Sequence, residues 1–243
     1  EVAVQFELGG TTVTIGGMCK GSGMIHPNMC TMLSFITTDI CISKELLQRA
    51  LSEDIKGTYN MISVDGDTST NDTILGLANG ASGVAAESAA DLALLEQALT
   101  DILGTGSHML VMDGEGASKV IHITVTGAVS DDAARTVARS VGHSQLVKTA
   151  IYGGDANWGR IVTAVGYSGA KFDPAKVSMK LCGIERFRLG CPVNEDKEDA
   201  LAELLKAKDV QVEIDLGGGT GCYNFQASDL GHEYVTLNSD YRS

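Results

Sequence analysis

Alternating hydrophobic and polar residues mark the start of the chain as a β-strand. Val2, Val4, Phe6 and Leu8 alternate with smaller or polar residues, and a second run of this kind begins at Thr11 after two glycines. One face of such a strand packs against a core while the other faces polar surroundings. The pattern therefore predicts an opening hairpin whose second strand covers residues 11–15.

Helical periodicity appears in later segments. Across residues 44–56, apolar residues recur at spacings of three and four, and Ser43 precedes them as a side chain able to cap a helix. Residues 84–103 are rich in Ala and Leu, and the segment that follows Ser130 opens with acidic residues, which the helix dipole favours there. We expect helices over residues 44–56, 84–103, 130 to beyond 147, and 195–207.

β-branched residues dominate the segments between these helices, most strongly at residues 120–126 and 210–216. Shorter runs predict further strands at residues 34–38, 60–64, 176–181 and 234–237. Strands and helices that alternate in this way are typical of an α/β fold, in which helices cover layers of sheet.

Composition and charge exclude several classes of function. The formal net charge is -13 and no basic cluster occurs, which argues against a nucleic-acid partner. No run of about eighteen apolar residues is present, so no membrane span is expected. The first residues lack the pattern of a signal peptide, and the six cysteines form no CxxC pair. These features predict a cytoplasmic protein with free thiols and no metal site.

Residues 20–33, KGSGMIHPNMCTML, form the most informative segment. Gly21 and Gly23 permit backbone angles that other residues avoid, and Pro27 with Asn28 favours a turn. Such a loop can present Thr31 at the start of the next strand. An ordinary glycine-rich connection is the alternative, and the residues alone leave both interpretations open.

This run resembles the self-cleavage site of the ornithine acetyltransferase family, whose members are also called glutamate N-acetyltransferases. Four further segments are similar to that family at matching distances: VDGDTSTNDT at 64–73, DGEGA at 113–117, DANWGRIVTAVG at 155–166 and EYVTLNSDYRS at 233–243. Five segments in the same order make the resemblance specific, and it covers the whole chain. It implies an αββα-like sandwich of sheets and helices.

The resemblance also implies self-cleavage of the bond between Cys30 and Thr31. Residues 1–30 would then be the end of an α part, and residues 31–243 the whole β part. Thr31 would accept acetyl from N-acetylornithine as an ester and pass it to glutamate, a step of arginine biosynthesis. Its α-amine, released by the cut and with a reference pKa of about 8, suits a general base. The family usually has Ala where this chain has Cys30, another small side chain.

Four further residues receive substrate-binding roles from the same resemblance. Lys20 offers a cation for a carboxylate, and Glu115 offers an anion for an amine. Asn238 and Ser243 belong to a tail that reaches the active site in this family, and Ser243 stands where Thr is common. Without the resemblance these residues are a surface lysine, a turn acid and parts of a frayed chain end.

The family's cofactor and partners follow as expectations. No metal or organic cofactor is expected, because the threonine ester carries the acetyl group; some members also use acetyl-CoA as donor, which the sequence leaves open. The expected partners are N-acetylornithine, glutamate and an upstream α part that supplies an oxyanion-stabilising Thr-Gly pair. The expected assembly is a heterotetramer of two α and two β parts.

Other features of the chain carry less weight. Residues 66–73 lack the Gly-Lys-Ser/Thr of a phosphate-binding loop and are interpreted as a hydrogen-bonded turn near the site. A helix is expected to begin at Asn157, with Trp158 as a packing residue. The scattered histidines do not support a Ser-His-Asp triad. Two alternative functions remain: a self-processing Thr/Ser amidase or aminopeptidase, and a non-catalytic fragment or binding module.

Overall fold

The computed structural model describes residues 1–21, 23–25, 32–67 and 71–240. Across that part of the chain it contains seven α-helices and eleven strands in two sheets. The predicted mixed α/β fold is confirmed. None of the described helices is both long enough and apolar enough to cross a membrane.

Contacts divide the chain into two compact units. The first contains residues 1–62 and 66–113, and the second contains Ser63–Asp65 and the chain from Gly114 onward. The predicted division at Thr31 is of another kind, because it marks a cleaved peptide bond and not a boundary between compact units. That bond lies outside the described residues, so the predicted division stays a prediction. Each unit has its own sheet and its own helices.

The strands vary from two to ten residues in length. They are β1 (Val2–Leu8), β2 (Thr11–Lys20), β3 (Leu33–Thr38), β4 (Ile62–Ser63), β5 (Thr73–Ala78), β6 (Val120–Ala128), β7 (Ser178–Leu181), β8 (Ile184–Arg188), β9 (Cys191–Pro192), β10 (Asp209–Asp215) and β11 (Gly221–Ser228).

The helices alternate with these strands along the chain. They are α1 (Lys44–Asp54), α2 (Ala89–Met112), α3 (Asp131–Gly142), α4 (Gln145–Tyr152), α5 (Trp158–Gly166), α6 (Glu198–Leu204) and α7 (His232–Asp240).

A four-stranded sheet in the order β1-β2-β3-β5 is the framework of the first unit. β1, β2 and β3 are antiparallel neighbours, and β5 runs parallel to β3. Helix α2 packs on β1 and β2, and Val13 and Ile15 of β2 are fully buried. Gly17 lies on the same face, and a Cβ there would come within 3.3 Å of Ile102 of α2. The helix therefore lies directly on the sheet at the glycine.

A seven-stranded sheet in the order β4-β11-β6-β10-β7-β8-β9 is the framework of the second unit. β6 runs parallel to β10 and antiparallel to β11. Helix α3 packs on β6 and β11, and a Cβ at Gly142 of α3 would meet the ring of Phe225 at 2.6 Å. Phe225 is 1% exposed and belongs to the main apolar core of this unit.

Side-chain caps explain where several helices begin. Ser43 Oγ accepts from the N–H of Leu46, so α1 starts at Lys44 as predicted. Ser88 and Asp91 form a reciprocal capping box, which starts α2 at Ala89 rather than at the predicted residue 84. The helix expected to begin at Asn157 is confirmed as α5.

Two predictions of secondary structure are wrong. The single helix expected from Ser130 is two helices: the first ends at Gly142 with His143 as its C-cap, and Ser144 caps the second by accepting from the N–H of Val147. The strand expected at residues 234–237 lies inside helix α7. Contacts of α7 with the rest of the second unit, given below, override the β propensity of its residues.

The predicted free thiols are confirmed in the described part of the chain. None of its five cysteines forms a disulfide: Cys19, Cys41, Cys182, Cys191 and Cys222.

Candidate functional site

The ends of three neighbouring strands lie side by side in the first unit. Lys20 is the last residue of β2 and pairs with Leu33, the first residue of β3. Leu33 in turn pairs with Thr73, the first residue of β5. Lys20 is exposed at this edge. Thr31 precedes Leu33 by two positions, but Thr31 and Cys30 lie outside the described residues.

Asp72 holds the backbone next to Thr31 in sequence. Its Oδ1 accepts from the N–H of Met32 at 3.0 Å, and the N–H of Thr73 donates to the carbonyl of Met32, also at 3.0 Å. Both backbone polar groups of Met32 are thus bound by consecutive residues. Residues 68–70 lie outside the described residues, so the interpretation of residues 66–73 as a hydrogen-bonded turn near the site stays a prediction.

The environment of Asp72 is unusual for a carboxylate. Burial raises its pKa to about 6, and the hydrogen bond from Met32 acts in the opposite direction. Its other oxygen, Oδ2, is buried and accepts no hydrogen bond from the described part of the chain. The carboxylate is thus partly desolvated and holds the N–H of Met32 through Oδ1.

A buried tyrosine supports these strand ends. The hydroxyl groups of Tyr59 and Ser34 lie 3.0 Å apart, and Ser34 pairs across the sheet with Cys19. Tyr59 packs so closely on Gly106 of α2 that a Cβ there would come within 2.5 Å of the hydroxyl. Burial raises the pKa of both Tyr59 and Cys19, so neither group ionises at neutral pH. This polar cluster fixes the strand positions preceding Lys20 and following Leu33.

The chain beyond Lys20 has an unusual backbone at Met24. Its φ is 52°, in the left-handed region that non-glycine residues rarely adopt. The next residue, Ile25, is only 2% exposed. A buried side chain therefore anchors the segment directly after the two glycines.

Glu115 and Asn238 meet in the second unit. Asn238 Nδ2 donates to Glu115 Oε2 at 2.9 Å and to the carbonyl of Tyr234 at 3.0 Å. Glu115 follows α2 and Asn238 lies on α7, so the contact joins residues 123 positions apart. The structure thus brings together two of the residues to which the family resemblance assigns substrate binding. Ser243 lies outside the described residues.

Helix α7 is docked by close contacts around Tyr234. Gly116 has a φ of 69°, and a Cβ there would come within 2.4 Å of the backbone nitrogen of Tyr234. The Tyr234 hydroxyl donates to Asp65 Oδ2 at 3.3 Å. The rings of Tyr152 and His232 meet edge to face, with centroids 6.1 Å apart. These contacts place Asn238 against Glu115.

His122 and Asp209 contribute two potential metal-ligand atoms within the second unit. His122 Nε2 and Asp209 Oδ1 lie 2.7 Å apart, which is a hydrogen-bond distance. The expectation that the protein needs no metal stays a prediction.

Comparison with known proteins finds one matching family model, described as the ArgJ family, and it covers residues 1–243. A protein of Nitratidesulfovibrio vulgaris named arginine biosynthesis bifunctional protein ArgJ is 56% identical over 239 residues, 98% of this chain and 61% of its own length. A mitochondrial protein of that name from Yarrowia lipolytica is 46% identical over 248 residues, 98% of this chain and 57% of its own length.

The fold has a solved counterpart. A crystal structure of arginine biosynthesis bifunctional protein argJ from Bacillus halodurans matches with a TM-score of 0.82 and 40% sequence identity. The match covers 87% of this chain and 100% of that chain. This chain spans about three fifths of the length of the curated relatives.

Proposed function

Because the chain belongs to the ArgJ family, we propose that it carries the nucleophile of a glutamate N-acetyltransferase acting in arginine biosynthesis. The enzyme would move acetyl from N-acetylornithine to glutamate through an ester on Thr31. The observation that carries the proposal is the hold of Asp72 on Met32. It fixes the backbone that follows Thr31 directly, as precise positioning of a nucleophile requires.

The proposed reaction has two steps. The Thr31 hydroxyl attacks the acetyl carbonyl, the Thr31 α-amine takes the hydroxyl proton, and ornithine leaves after protonation of its nitrogen. The amine of glutamate then attacks the ester, which gives N-acetylglutamate and restores the hydroxyl. In both steps negative charge develops on the acetyl oxygen and needs hydrogen-bond donors. We assign those donors to the upstream α part.

Cleavage between Cys30 and Thr31 would create the α-amine. The length of the structural match supports this part of the proposal. It covers 87% of this chain, which is about 211 of 243 residues, and it covers the whole of the solved chain. Residues 31–243 number 213, because 30 of the 243 residues precede Thr31. A separate chain starting at the nucleophile would have this length.

Family resemblance is the basis for proposing an amino-acid substrate. We assign the substrate carboxylate to the exposed ammonium of Lys20 and the substrate amine to Glu115, whose Oε2 is already oriented by Asn238. Ser243 is proposed as a further contact by family resemblance. The proposed assembly is a cytoplasmic heterotetramer of two α and two β parts without metal; acetyl-CoA as a second donor stays open.

Initial rates of N-acetylglutamate formation by the full-length protein test this function. With both substrates varied, we expect ping-pong kinetics, because ornithine leaves before glutamate binds. A Thr/Ser amidase would release acetate from N-acetylornithine without glutamate. A non-catalytic fragment would turn over neither substrate, and either result would reject the proposal.

A further inference from the structure

Lys148 is a buried lysine that the proposed reaction does not use. It lies on α4 and is 4% exposed. Its Nζ donates to the backbone carbonyl of Val64 and lies 3.4 Å from Ser228 Oγ. Removing an ammonium from water is costly, so lysines are rarely buried without such partners.

The contacts of Lys148 converge on one short segment. Ser228 Oγ donates to the same Val64 carbonyl at 3.1 Å, and the carboxylates of Asp65 and Asp229 act electrostatically on the ammonium. Asp229 is also held by the backbone N–H of Ser118 at 2.8 Å. The second unit therefore directs its buried cation and a buried hydroxyl at the backbone of Val64.

This segment is a short part of the second unit: it consists of Ser63–Asp65, and the residues on either side of it in sequence belong to the first unit. Ser63 belongs to β4, which pairs with β11, and Val64 is 2% exposed, so strand pairing and burial also hold the segment. The bonds from Lys148 and Ser228 to the Val64 carbonyl add to that hold directly before Asp65.

Polar contacts lead from this segment to the proposed substrate contacts. Asp65 accepts from the Tyr234 hydroxyl, and Tyr234 and Glu115 both accept from the amide of Asn238. Helix α7, which carries Tyr234 and Asn238, has no buried residue. Since burial contributes little to its docking, a shift of Asp65 should loosen it.

We propose that Lys148 is a positioning residue for amino-acid binding: it holds Val64 so that Asp65 secures Tyr234 and Asn238 stays on Glu115. This inference rests on the proposed function, in which Glu115 receives the substrate amine. Lys148 itself touches no substrate. Its loss should weaken substrate binding more than it slows acetyl transfer.

The test compares Lys148→Met with wild type in the full-length protein. The matched control is Lys180→Met, which removes a half-exposed lysine paired with Glu213 in the same unit. We expect Lys148→Met to raise KM for N-acetylornithine, whose side-chain amine is the one Glu115 would receive, at least tenfold with kcat changed less than threefold. Hydrogen exchange should accelerate in a peptide covering residues 232–240 but not in one covering α3. The control should match wild type in both measurements.

An unchanged KM in Lys148→Met would overturn the proposal. This includes the case in which only kcat falls, by the fraction of the protein that is misfolded. If Lys148→Met does not fold, Tyr234→Phe decides, because it removes one hydroxyl from the same path. A rise in its KM of about threefold supports the proposal, and a wild-type KM rejects it. Failure of the proposed function is distinguishable, because wild type would then form no N-acetylglutamate from N-acetylornithine and glutamate. The exchange rates would still report whether Lys148 holds α7.

Discussion

The carboxylate of Asp72 and the backbone N–H of Met32 are joined by a 3.0 Å hydrogen bond across forty positions of sequence. Met32 directly follows Thr31, the proposed nucleophile. Because β3 and β5 start at the same edge of the sheet, the residues before both strands meet there. We therefore propose that Asp72, which lies outside the loop of Thr31, helps to fix the position of Thr31.

Replacing Asp72 should impair the reaction without abolishing the fold. Asp72→Ala leaves the N–H of Met32 without its acceptor, which removes about 1–3 kcal/mol of the free energy that fixes this backbone position. Because the backbone beside Thr31 is then less well positioned, kcat/KM should fall about tenfold or more. Asp72→Asn retains an acceptor oxygen and should stay within about threefold of wild type. Glu53→Ala, which removes an exposed carboxylate on α1, is the control. Wild-type kinetics in Asp72→Ala would remove the residue from the site.

Lys20→Ala and Glu115→Ala should each raise KM for N-acetylornithine at least tenfold. Each variant loses one charge-assisted contact with the substrate, worth about 1.4 kcal/mol. Lys206→Ala and Glu203→Ala are matched controls, because these residues form an exposed ion pair. Steady-state kinetics measures the effect, and unchanged constants in both site variants would contradict the assigned roles.

The stability of the protein should depend on Lys148 in a pH-specific way. Burial lowers the pKa of Lys148 from its ordinary 10.5 to about 8, although Asp65 and Asp229 oppose the shift. Between those values the unfolded chain binds the additional proton, so the free energy of unfolding rises with pH. Wild type should therefore gain stability relative to Lys148→Met between about pH 8 and pH 10.5, by at most about 3 kcal/mol.

Denaturant unfolding of both proteins at several pH values measures this difference. Comparing the two variants cancels the titration of other groups, including Tyr59 and Cys19. A difference that is constant or shrinks with pH would show that Lys148 keeps its proton in the folded state.

Self-cleavage should depend on Thr31 alone among nearby threonines. Full-length wild type should give two masses that correspond to a cut before Thr31, and Thr31→Ala should give one uncut mass. Thr37→Ala on β3 should be cut like wild type. Equal, uncut masses for wild type and Thr31→Ala would reject cleavage at this bond.

Local patterns in the sequence predicted much of the fold. The run at Val2, the cap at Ser43 and the acidic turn after Ser130 each correspond to an element that begins where expected. Such signals lie within a few residues of the element they specify. Helix α7 was missed because contacts with distant residues outweigh the local β propensity of Tyr234 and Val235.

The candidate site was predictable only in part, for a related reason. Family resemblance identified Glu115 and Asn238, and their contact is present. Asp72 and Lys148 were not identified. The role of Asp72 requires the parallel pairing of β3 with β5, and that of Lys148 requires burial beside Val64. Neither tertiary feature leaves a local signal beyond an acidic residue in a polar run and a lysine in a helix.

The most direct test of the central claim is the mass of the acetylated protein. Full-length enzyme mixed with N-acetylornithine and no glutamate should gain one acetyl group on the fragment that begins at Thr31. Peptide mapping should locate it on Thr31, and added glutamate should remove it as N-acetylglutamate. Acetyl on Lys20 or any residue other than Thr31, or no acetylated species before glutamate is added, would contradict a threonine-ester mechanism.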